Sequence, residues 1–276
     1  MLRAALSQKG KKPVIPHLQN LHTHSTWCDG RDTPEQVLEM AMEKGFCSIG
    51  FSSHSRTATY PVPAADGAEY KAAIRALAEQ YRDRIEVFCG LEVDSFHTMS
   101  TLEGYDYLIG SVHHVRNARG DVGVDRSEET VREGIRTLFD GDGLAYAKAY
   151  YAALAELPSA GSFDIVGHFD LLGKHAENTS FFDPFCKEYE RAAFEAIDAL
   201  AGKIPFFEVN TGAIARGYRK TPYPFPNILR ELKRRGFGAV ISSDCHDARY
   251  LDCCFAQATA LLRACGFTEQ YILAKN

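Results

Sequence analysis

The sequence lacks the features that mark membrane-spanning, disulfide-rich and nucleic-acid-binding proteins. None of its apolar runs approaches the ~20 residues that a helix needs to cross a bilayer. Its eight cysteines form no CxxC pair, so we expect reduced thiols in a cytoplasmic protein rather than a disulfide framework. The net charge of -5 gives no reason to expect a nucleic-acid or membrane partner. An anionic substrate would therefore have to be held by local cations.

The first residues differ in composition from the rest of the chain. The segment from Met1 to Lys12 is basic but has no apolar stretch of the kind found in secretory signals. We therefore expect residues 1–16 to be a flexible leader. Hydrophobic residues make up 45% of the sequence, which is enough for a sizeable core. Residues 17–276 have the length of a single α/β barrel domain.

Short apolar runs alternate with amphipathic stretches along the chain. The clearest helix start has Thr33 as the N-cap, Pro34 at the first helical position and Gln36 three residues after the cap. Further helices are predicted over residues 68–81, 127–139, 144–157, 184–201 and 226–235. The apolar runs predicted as strands are His17 to Leu21, Phe46 to Phe51, Ile85 to Leu91, Tyr105 to Val112, Phe163 to Gly167, Phe206 to Val209 and Phe237 to Ile241. Seven such βα units predict a parallel barrel, one unit short of the common eight, and a doubly wound open sheet is the alternative.

Histidine and carboxylate residues follow nearly every predicted strand. In a parallel barrel the carboxyl ends of the strands lie at one rim, so these side chains would converge on one pocket. They are His22 and His24 after the first strand, His54 after the second, Glu92 after the third, His113 after the fourth, His168 after the fifth, and Asp244 and His246 after the seventh. Neutral imidazole and carboxylate suit Zn, Mn or Fe. Because one zinc ion takes about four ligands, this set predicts a cluster of two or three divalent ions.

Each of these residues taken alone also has a structural interpretation. A single histidine at a strand end is more often a hydrogen-bonded structural residue than a ligand, and Asp29 in Cys28-Asp29-Gly30 would be interpreted as part of a turn. The metal interpretation is favoured because the structural one would have to apply at nearly every strand end. Adjacent side chains of an extended chain point to opposite faces, so His113 is preferred to His114. No role is assigned to His17, His97 or His175.

The motifs at the strand ends, taken in order, resemble those of the PHP superfamily (polymerase and histidinol phosphatase). The segments that carry the resemblance are Asn20-Leu21-His22-Thr23-His24-Ser25 with Cys28-Asp29-Gly30, Gly50-Phe51-Ser52-Ser53-His54, Gly90-Leu91-Glu92-Val93-Asp94, Gly110-Ser111-Val112-His113, Gly167-His168-Phe169-Asp170 and Ser243-Asp244-Cys245-His246. The resemblance extends from about residue 18 to about residue 255. Within the superfamily, the chain is most similar to the stand-alone histidinol-phosphatases.

The resemblance implies a distorted (β/α)7 barrel with a trinuclear site. It implies an enzyme that hydrolyses a small phosphate ester, L-histidinol phosphate, to L-histidinol and phosphate in histidine biosynthesis. The implied ligand sets are His22, His24, Glu92 and Asp244 for one ion, Glu92, His113 and His168 for a second, and Asp29, His54 and His246 for the third.

The resemblance also implies roles near the substrate. Glu92, His246 and Arg216 are the implied catalytic residues, and Arg216 with Lys174 would bind the phosphate. Gly173 stands where relatives often carry a phosphate-binding Arg, which leaves the phosphate contacts open. Ser53 likewise stands where many relatives carry Asp.

Three alternatives remain open at this point. The chain could be a PHP-family phosphoesterase acting on a nucleotide or another small phosphate ester. It could be an amidohydrolase-type metal hydrolase, although Glu92 stands where many of those enzymes have a carboxylated lysine, and His246 is a ligand that they usually lack. It could also be a non-catalytic metal-binding or partner-binding protein. The sequence does not define the oligomeric state.

Overall fold

Seven parallel strands form the main sheet, and their order in space follows their order in the chain. The computed structural model describes residues 11–13, 18–57 and 67–274. Its strands are β1 (Lys11–Pro13), β2 (Gln19–Asn20), β3 (Ser48–Phe51), β4 (Glu86–Asp94), β5 (Tyr107–Ser111), β6 (His114–Asn117), β7 (Gly120–Gly123), β8 (Ile165–Val166), β9 (Phe206–Asn210), β10 (Gly238–Ser242) and β11 (Glu269–Tyr271). The main sheet runs β2-β3-β4-β5-β8-β9-β10, with every adjacent pair parallel. A doubly wound sheet would reverse its order partway, so that alternative is wrong.

The first and last strands of this sheet meet, which nearly closes it into a barrel. Thr23 and Cys245, which lie just beyond β2 and β10, form a parallel bridge. The Cys245 amide donates to the carbonyl oxygen of His22 (3.1 Å), and the His24 amide donates to the carbonyl oxygen of Cys245 (2.8 Å). The predicted distorted (β/α)7 barrel is thereby confirmed.

Helices lie between most successive strands of the main sheet, although β5 follows β4 without one. They are α1 (Pro34–Glu43), α2 (Ala68–Gln80), α3 (Glu128–Leu138), α4 (Gly143–Ala155), α5 (Leu157–Ala160), α6 (Lys187–Leu200), α7 (Gly212–Ala215), α8 (Pro226–Arg234) and α9 (Phe255–Ala264). Helix α1 begins as the sequence predicts. The Thr33 hydroxyl accepts from the Gln36 amide (3.3 Å), and the Gln36 side-chain oxygen accepts from the Thr33 amide (2.9 Å). This capping box sets the direction in which the chain leaves the loop that contains Asp29.

An apolar layer fills the barrel interior beneath the carboxyl ends of the strands. Its buried members are Leu21, Phe88, Tyr107, Ile109, Ile165, Val240 and Leu273. A Cβ atom at Gly50 or Gly90 would overlap the side chain of Tyr107, so these two glycines make room for its ring. The Tyr107 hydroxyl donates to the carbonyl oxygen of Leu21. Because this layer excludes water from below, polar groups of the interior are concentrated at the carboxyl-terminal rim.

Some elements were not expected from the sequence. Strands β6 and β7 form an antiparallel hairpin after β5, and helix α9 follows the last barrel strand. Strand β8 is only two residues long, shorter than the predicted run from Phe163 to Gly167.

The ends of the chain meet at a small antiparallel sheet. Lys11–Pro13 pairs with Glu269–Tyr271, so this part of the predicted leader is in a strand. The other residues of that leader lie outside the described ranges, and its flexibility stays a prediction. Among the described residues, no helix combines the length and apolar character needed to cross a membrane.

Candidate metal centre

Glu92 lies at the centre of a cluster of imidazoles at the carboxyl-terminal rim. It lies near the carboxyl end of β4 and is 1% exposed. One of its oxygens, Oε2, lies 3.4 Å from His22 Nε2, 3.6 Å from His24 Nε2 and 2.9 Å from His54 Nδ1. The other, Oε1, lies 3.3 Å from His113 Nε2 and 3.0 Å from His168 Nε2. Side chains that follow four different strands therefore converge on one carboxylate.

Two further carboxylates complete the cluster. Asp244 Oδ1 lies 3.3 Å from His24 Nε2, 3.7 Å from His22 Nε2 and 3.5 Å from His246 Nδ1. Asp29 Oδ1 lies 3.3 Å from His246 Nε2 and 3.5 Å from His54 Nε2. Asp29 comes from the loop before α1, where its sequence context alone indicated only a turn. The structure thus brings together the nine residues that the resemblance implied as ligands.

Three overlapping groups of these side chains have ligand atoms within 4.8 Å of one another. The groups are His24, Asp29, His54 and His246; His22, Glu92 and His168; and His22, His24 and Asp244. They approximate the three implied ligand sets, with three differences. His24 joins the first group, and Glu92 is absent from the third. In the second group His22 takes the place of His113, which lies beside it, 3.3 Å from Glu92.

The donor set fits divalent cations. The Nε2 atoms of His22 and His24 and the Oε2 atom of Glu92 are buried, and none of them has a hydrogen-bond partner. Buried polar atoms are normally paired, whereas these three lie together, with the two Nε2 atoms 3.4 and 3.6 Å from Oε2. Imidazole nitrogen and carboxylate oxygen are ligands that suit zinc and other first-row metals. A cluster of cations would satisfy all three atoms together.

The electrostatics of the cluster also favour positive charge at its centre. Burial alone would raise the pKa of Glu92, but the imidazoles of His22, His113 and His54 hold it well below its ordinary range. Burial would lower the pKa of His113, yet the carboxylates of Glu92 and Asp94 raise it to about 10. Buried carboxylates without a cation therefore draw protons onto their histidine neighbours, which is the charge that a metal ion would replace.

Several ligand imidazoles are fixed through their second nitrogen. His22 Nδ1 lies 2.7 Å from Glu208 Oε1, and His113 Nδ1 lies 2.9 Å from Asp94 Oδ2. The sequence reasoning missed both carboxylates. A signal was available for each, since Glu208 is the charged residue in the apolar strand β9, and Asp94 shares a face of β4 with Glu92.

The two cations expected to bind phosphate differ in their surroundings. Arg216 follows α7 and reaches Asp244, with Nη2 3.0 Å from Oδ2 and Nη1 3.1 Å from the carbonyl oxygen. Its side chain is 32% exposed. Lys174 is buried, and its Nζ lies 2.6 Å from Asp125 Oδ1 and 4.1 Å from the centre of the Tyr218 ring. The charge of Lys174 is thus already paired, whereas Arg216 contacts a member of the cluster.

Two side chains pack closely against Gly173, at the position where relatives often carry an Arg. A Cβ atom at this position would lie 2.9 Å from the Phe225 ring and 3.3 Å from Nη1 of Arg219. Arg219 is buried and packs over the rings of Tyr223 and Phe225. The Phe225 ring and the Arg219 guanidinium therefore occupy the space that a side chain at position 173 would enter.

The cluster opens into a pocket that extends towards the β6–β7 hairpin. Beyond the ligand candidates, its walls include Thr57, His114, Asp125, Arg126 and Leu171. His114 lies in β6 and is buried, while its neighbour His113 faces Glu92. His97 and His175 bind backbone carbonyl oxygens of Ala160 and Arg126, and His17 lies outside the described residues.

A nearly closed parallel barrel that gathers imidazoles and carboxylates at its carboxyl-terminal rim defines a class, the metal-dependent hydrolases built on a β/α barrel. The family can be stated as well. A family model described as the PHP domain matches residues 20–212, and the chain belongs to this family. The resemblance found in the strand-end motifs is confirmed.

Similar proteins match nearly the full chain. A protein of Deinococcus radiodurans described as a probable histidinol-phosphatase is 30% identical over 262 residues, which cover 89% of this chain and 92% of that protein. The histidinol-phosphatase of Bacillus subtilis is 27% identical, over 82% of this chain and 92% of that protein. The crystal structure of histidinol phosphate phosphatase from Lactococcus lactis, complexed with zinc, L-histidinol and phosphate, has a TM-score of 0.72 and 22% identity. It covers 92% of this chain, and this chain covers 95% of it, so the two share their fold throughout.

Proposed function

We propose that this chain is a metal-dependent phosphomonoesterase that hydrolyses L-histidinol phosphate to L-histidinol and phosphate. The observation that carries the proposal is the placement of Glu92 among five imidazoles at the rim of the barrel. Relatives that span most of the chain are described as histidinol-phosphatases, and the Lactococcus protein of the same fold binds zinc, L-histidinol and phosphate. These similarities support the choice of substrate.

We further propose that the centre holds two to three divalent ions, with Zn, Mn and Fe as the candidates. His22, His24, Glu92 and Asp244 would hold one ion, Glu92, His113 and His168 a second, and Asp29, His54 and His246 a third. When bound, such ions supply Lewis-acid stabilisation of phosphate oxygens and lower the pKa of water towards ~7. The eight cysteines, all among the described residues, form no disulfide, and we propose a cytoplasmic location.

Arg216 is proposed to contact the phosphate. Its guanidinium is held by Asp244, which lines the pocket, and this contact fixes the plane of the guanidinium. A planar guanidinium in a fixed orientation can offer two parallel N–H donors to phosphate oxygens. We propose that Lys174 acts next to it by neutralising Asp125, so that this carboxylate does not repel the incoming phosphate.

His246 is proposed to serve as a ligand rather than as a proton donor. Its Nδ1 lies 3.0 Å from the carbonyl oxygen of Asp244, and a carbonyl oxygen can only accept, so Nδ1 carries the proton. The remaining nitrogen, Nε2, faces Asp29 at 3.3 Å. Once Nε2 is used for binding an ion, His246 has no free proton to give to the departing alkoxide, which would take its proton from water.

Phosphate release by the metal-loaded enzyme tests the proposed function. We expect turnover of L-histidinol phosphate to exceed that of glycerol phosphate and nucleoside monophosphates. Replacing Glu92 by Gln should lower kcat by ~100-fold or more, because a central ligand is lost. The control is Glu86→Gln at the other end of β4, which should leave turnover unchanged. Faster release from a nucleotide would favour the alternative substrate, and activity on amides without phosphate release would favour the amidohydrolase alternative.

A further inference from the structure

A buried carboxylate that is not part of the ligand cluster lies directly behind it. Glu208 is in the middle of β9 and is 1% exposed. Both neighbours in the strand, Phe207 and Val209, are buried and apolar. A charged group in this place costs free energy unless it is fully hydrogen-bonded, so its partners reveal what it does.

Each oxygen of Glu208 accepts two hydrogen bonds. Oε1 lies 2.7 Å from His22 Nδ1 and also accepts from the hydroxyl of Ser242. Oε2 accepts from the backbone amide of His168 at 2.6 Å and from the side-chain amide of Asn210 at 2.9 Å. The groups come from four strand ends, and two of them belong to proposed ligands.

We infer that Glu208 is a positioning residue of the metal centre, which holds His22 and His168 in the orientation that binds ions. This inference rests on the metal centre proposed above. A carboxylate can only accept, so Nδ1 of His22 carries a proton in this contact, and the neutral ring would bind an ion through Nε2. That Nε2 atom has no hydrogen-bond partner and faces the cluster, 3.4 Å from Glu92 Oε2 and 3.7 Å from Asp244 Oδ1.

The second contact of Glu208 acts on the backbone rather than on a ring. By accepting a hydrogen bond from the amide of His168, it fixes the backbone position of this residue just after β8. The ring of His168 then places Nε2 3.0 Å from Glu92 Oε1, and its centre lies 5.7 Å from that of His22. One carboxylate thus fixes two ligands that share an ion-binding group with Glu92.

The decisive variant is Glu208→Gln, which is close to Glu in shape but not in hydrogen bonding. The amide can accept on one side only, and its NH2 group must face donors on the other. We expect the affinity for Zn²⁺ to fall by ~10- to 100-fold, as is typical for outer carboxylates of metal sites, and fewer ions to remain after dialysis against a chelator. The visible spectrum of the Co²⁺-loaded variant should shift, since the ligand geometry changes.

A matched control separates positioning from stability. Glu231 is also a largely buried carboxylate, but it pairs with Arg234 and Arg235 on α8. Glu231→Gln should alter the unfolding midpoint without changing ion affinity or the Co²⁺ spectrum. The conservative variant Glu208→Asp keeps the charge and should retain tighter Zn²⁺ binding than Glu208→Gln.

Unchanged Zn²⁺ affinity, ion number and Co²⁺ spectrum in Glu208→Gln would overturn the inference. If that variant does not fold, Glu208→Asp decides, because its shorter side chain should still weaken Zn²⁺ binding, and wild-type affinity would overturn the inference equally. The measurements need no substrate. A wild-type chain that binds ions but hydrolyses no phosphate ester would therefore refute the proposed function while leaving the role of Glu208 to be decided by the Zn²⁺ titration.

Discussion

Arg216 and Lys174 are two cations near the same pocket, and their partners set what each can do. The partner of Arg216 is Asp244. Bound ions would share the charge of this carboxylate and so weaken its ion pair with the guanidinium. The partner of Lys174 is Asp125, which belongs to no ligand group. Arg216 therefore has donors to spare for phosphate, whereas Lys174 remains neutralised by Asp125.

This difference gives a prediction for single and double variants. Arg216→Met should lower kcat/KM by ~10- to 100-fold, because a charge-assisted hydrogen bond is worth roughly 1.5–3 kcal/mol. Lys174→Met should also lower it, since Asp125 is left uncompensated near an anionic substrate. The double variant Lys174→Met with Asp125→Asn should recover most of that loss, as measured by steady-state kinetics.

The double variant also distinguishes a direct role for Lys174. If the lysine itself contacted the phosphate, removing Asp125 would not restore activity, and the loss would persist in KM. Asp121→Asn serves as the control for a general effect of charge. Asp121 is exposed on β7, four residues before Asp125, and its substitution should leave the kinetics of Lys174→Met unchanged.

At the scale of the element, helix α1 shows how a local signal supports the site. Its capping box fixes the end of the loop that carries Asp29. The same loop is tied to the segment that follows β10, the neighbouring strand across the closure of the barrel, since the Arg31 amide donates to the carbonyl oxygen of His246 (2.8 Å) and Asp32 accepts from the Ala248 amide (2.8 Å). The helix start and the ligand loop are thus one unit.

Removing the Thr33 hydroxyl should destabilise this unit. Thr33→Ala is expected to lower the free energy of unfolding by ~1 kcal/mol, because the amide of Gln36 loses its acceptor. Thr33→Ser keeps an oxygen in the same place and should stay close to wild type. Urea unfolding of both variants measures the difference, and equal losses in the two would mean that the methyl group rather than the cap carries the effect.

The elements also explain which parts of the fold the sequence could predict. Strands such as β4 and β9 are buried on both faces and so form largely apolar runs, which are visible in the sequence without any partner strand. The hairpin of β6 and β7 is short and mixes polar residues with glycine, so neither a two-residue nor a helical period marks it. Strand β8 is shorter than predicted because only Ile165 and Val166 pair with both neighbours.

The proposed ligands of the metal centre were predictable from the sequence, whereas the carboxylate Glu208 behind them was not. All the ligand candidates except Asp29 could be found because they come at predicted strand ends, and barrel geometry brings strand ends together. Asp29 was implied only by the resemblance. Glu208 lies inside β9 rather than after it, so this rule does not select it, although a single carboxylate in an apolar strand marks it as unusual. Its partner His22 is 186 residues away in the sequence. Its role depends on a contact across the barrel, and no local period or motif encodes such a contact.

At the scale of the whole molecule, the seam between the first and last barrel strands joins the two ends of the ligand set. Asn20 lies at this seam and is buried. Its side-chain nitrogen donates to the Ser243 hydroxyl (2.7 Å) and to the Leu251 carbonyl oxygen (3.1 Å), and its oxygen accepts from the His22 amide (3.1 Å). His22 and Asp244 therefore lie next to the same cross-strand link.

Breaking this link should weaken both the fold and the metal centre. Asn20→Leu leaves the Ser243 hydroxyl and the His22 amide without their partner, and each unsatisfied buried group costs ~1–3 kcal/mol. We expect a lower urea midpoint together with weaker Zn²⁺ binding, since His22 and Asp244 lose their fixed separation. Gln19→Leu is the control, because Gln19 binds Ser48 and Leu273 and should affect stability alone. A destabilised Asn20→Leu with wild-type Zn²⁺ affinity would show that the seam closes the barrel without governing the spacing of the ligands.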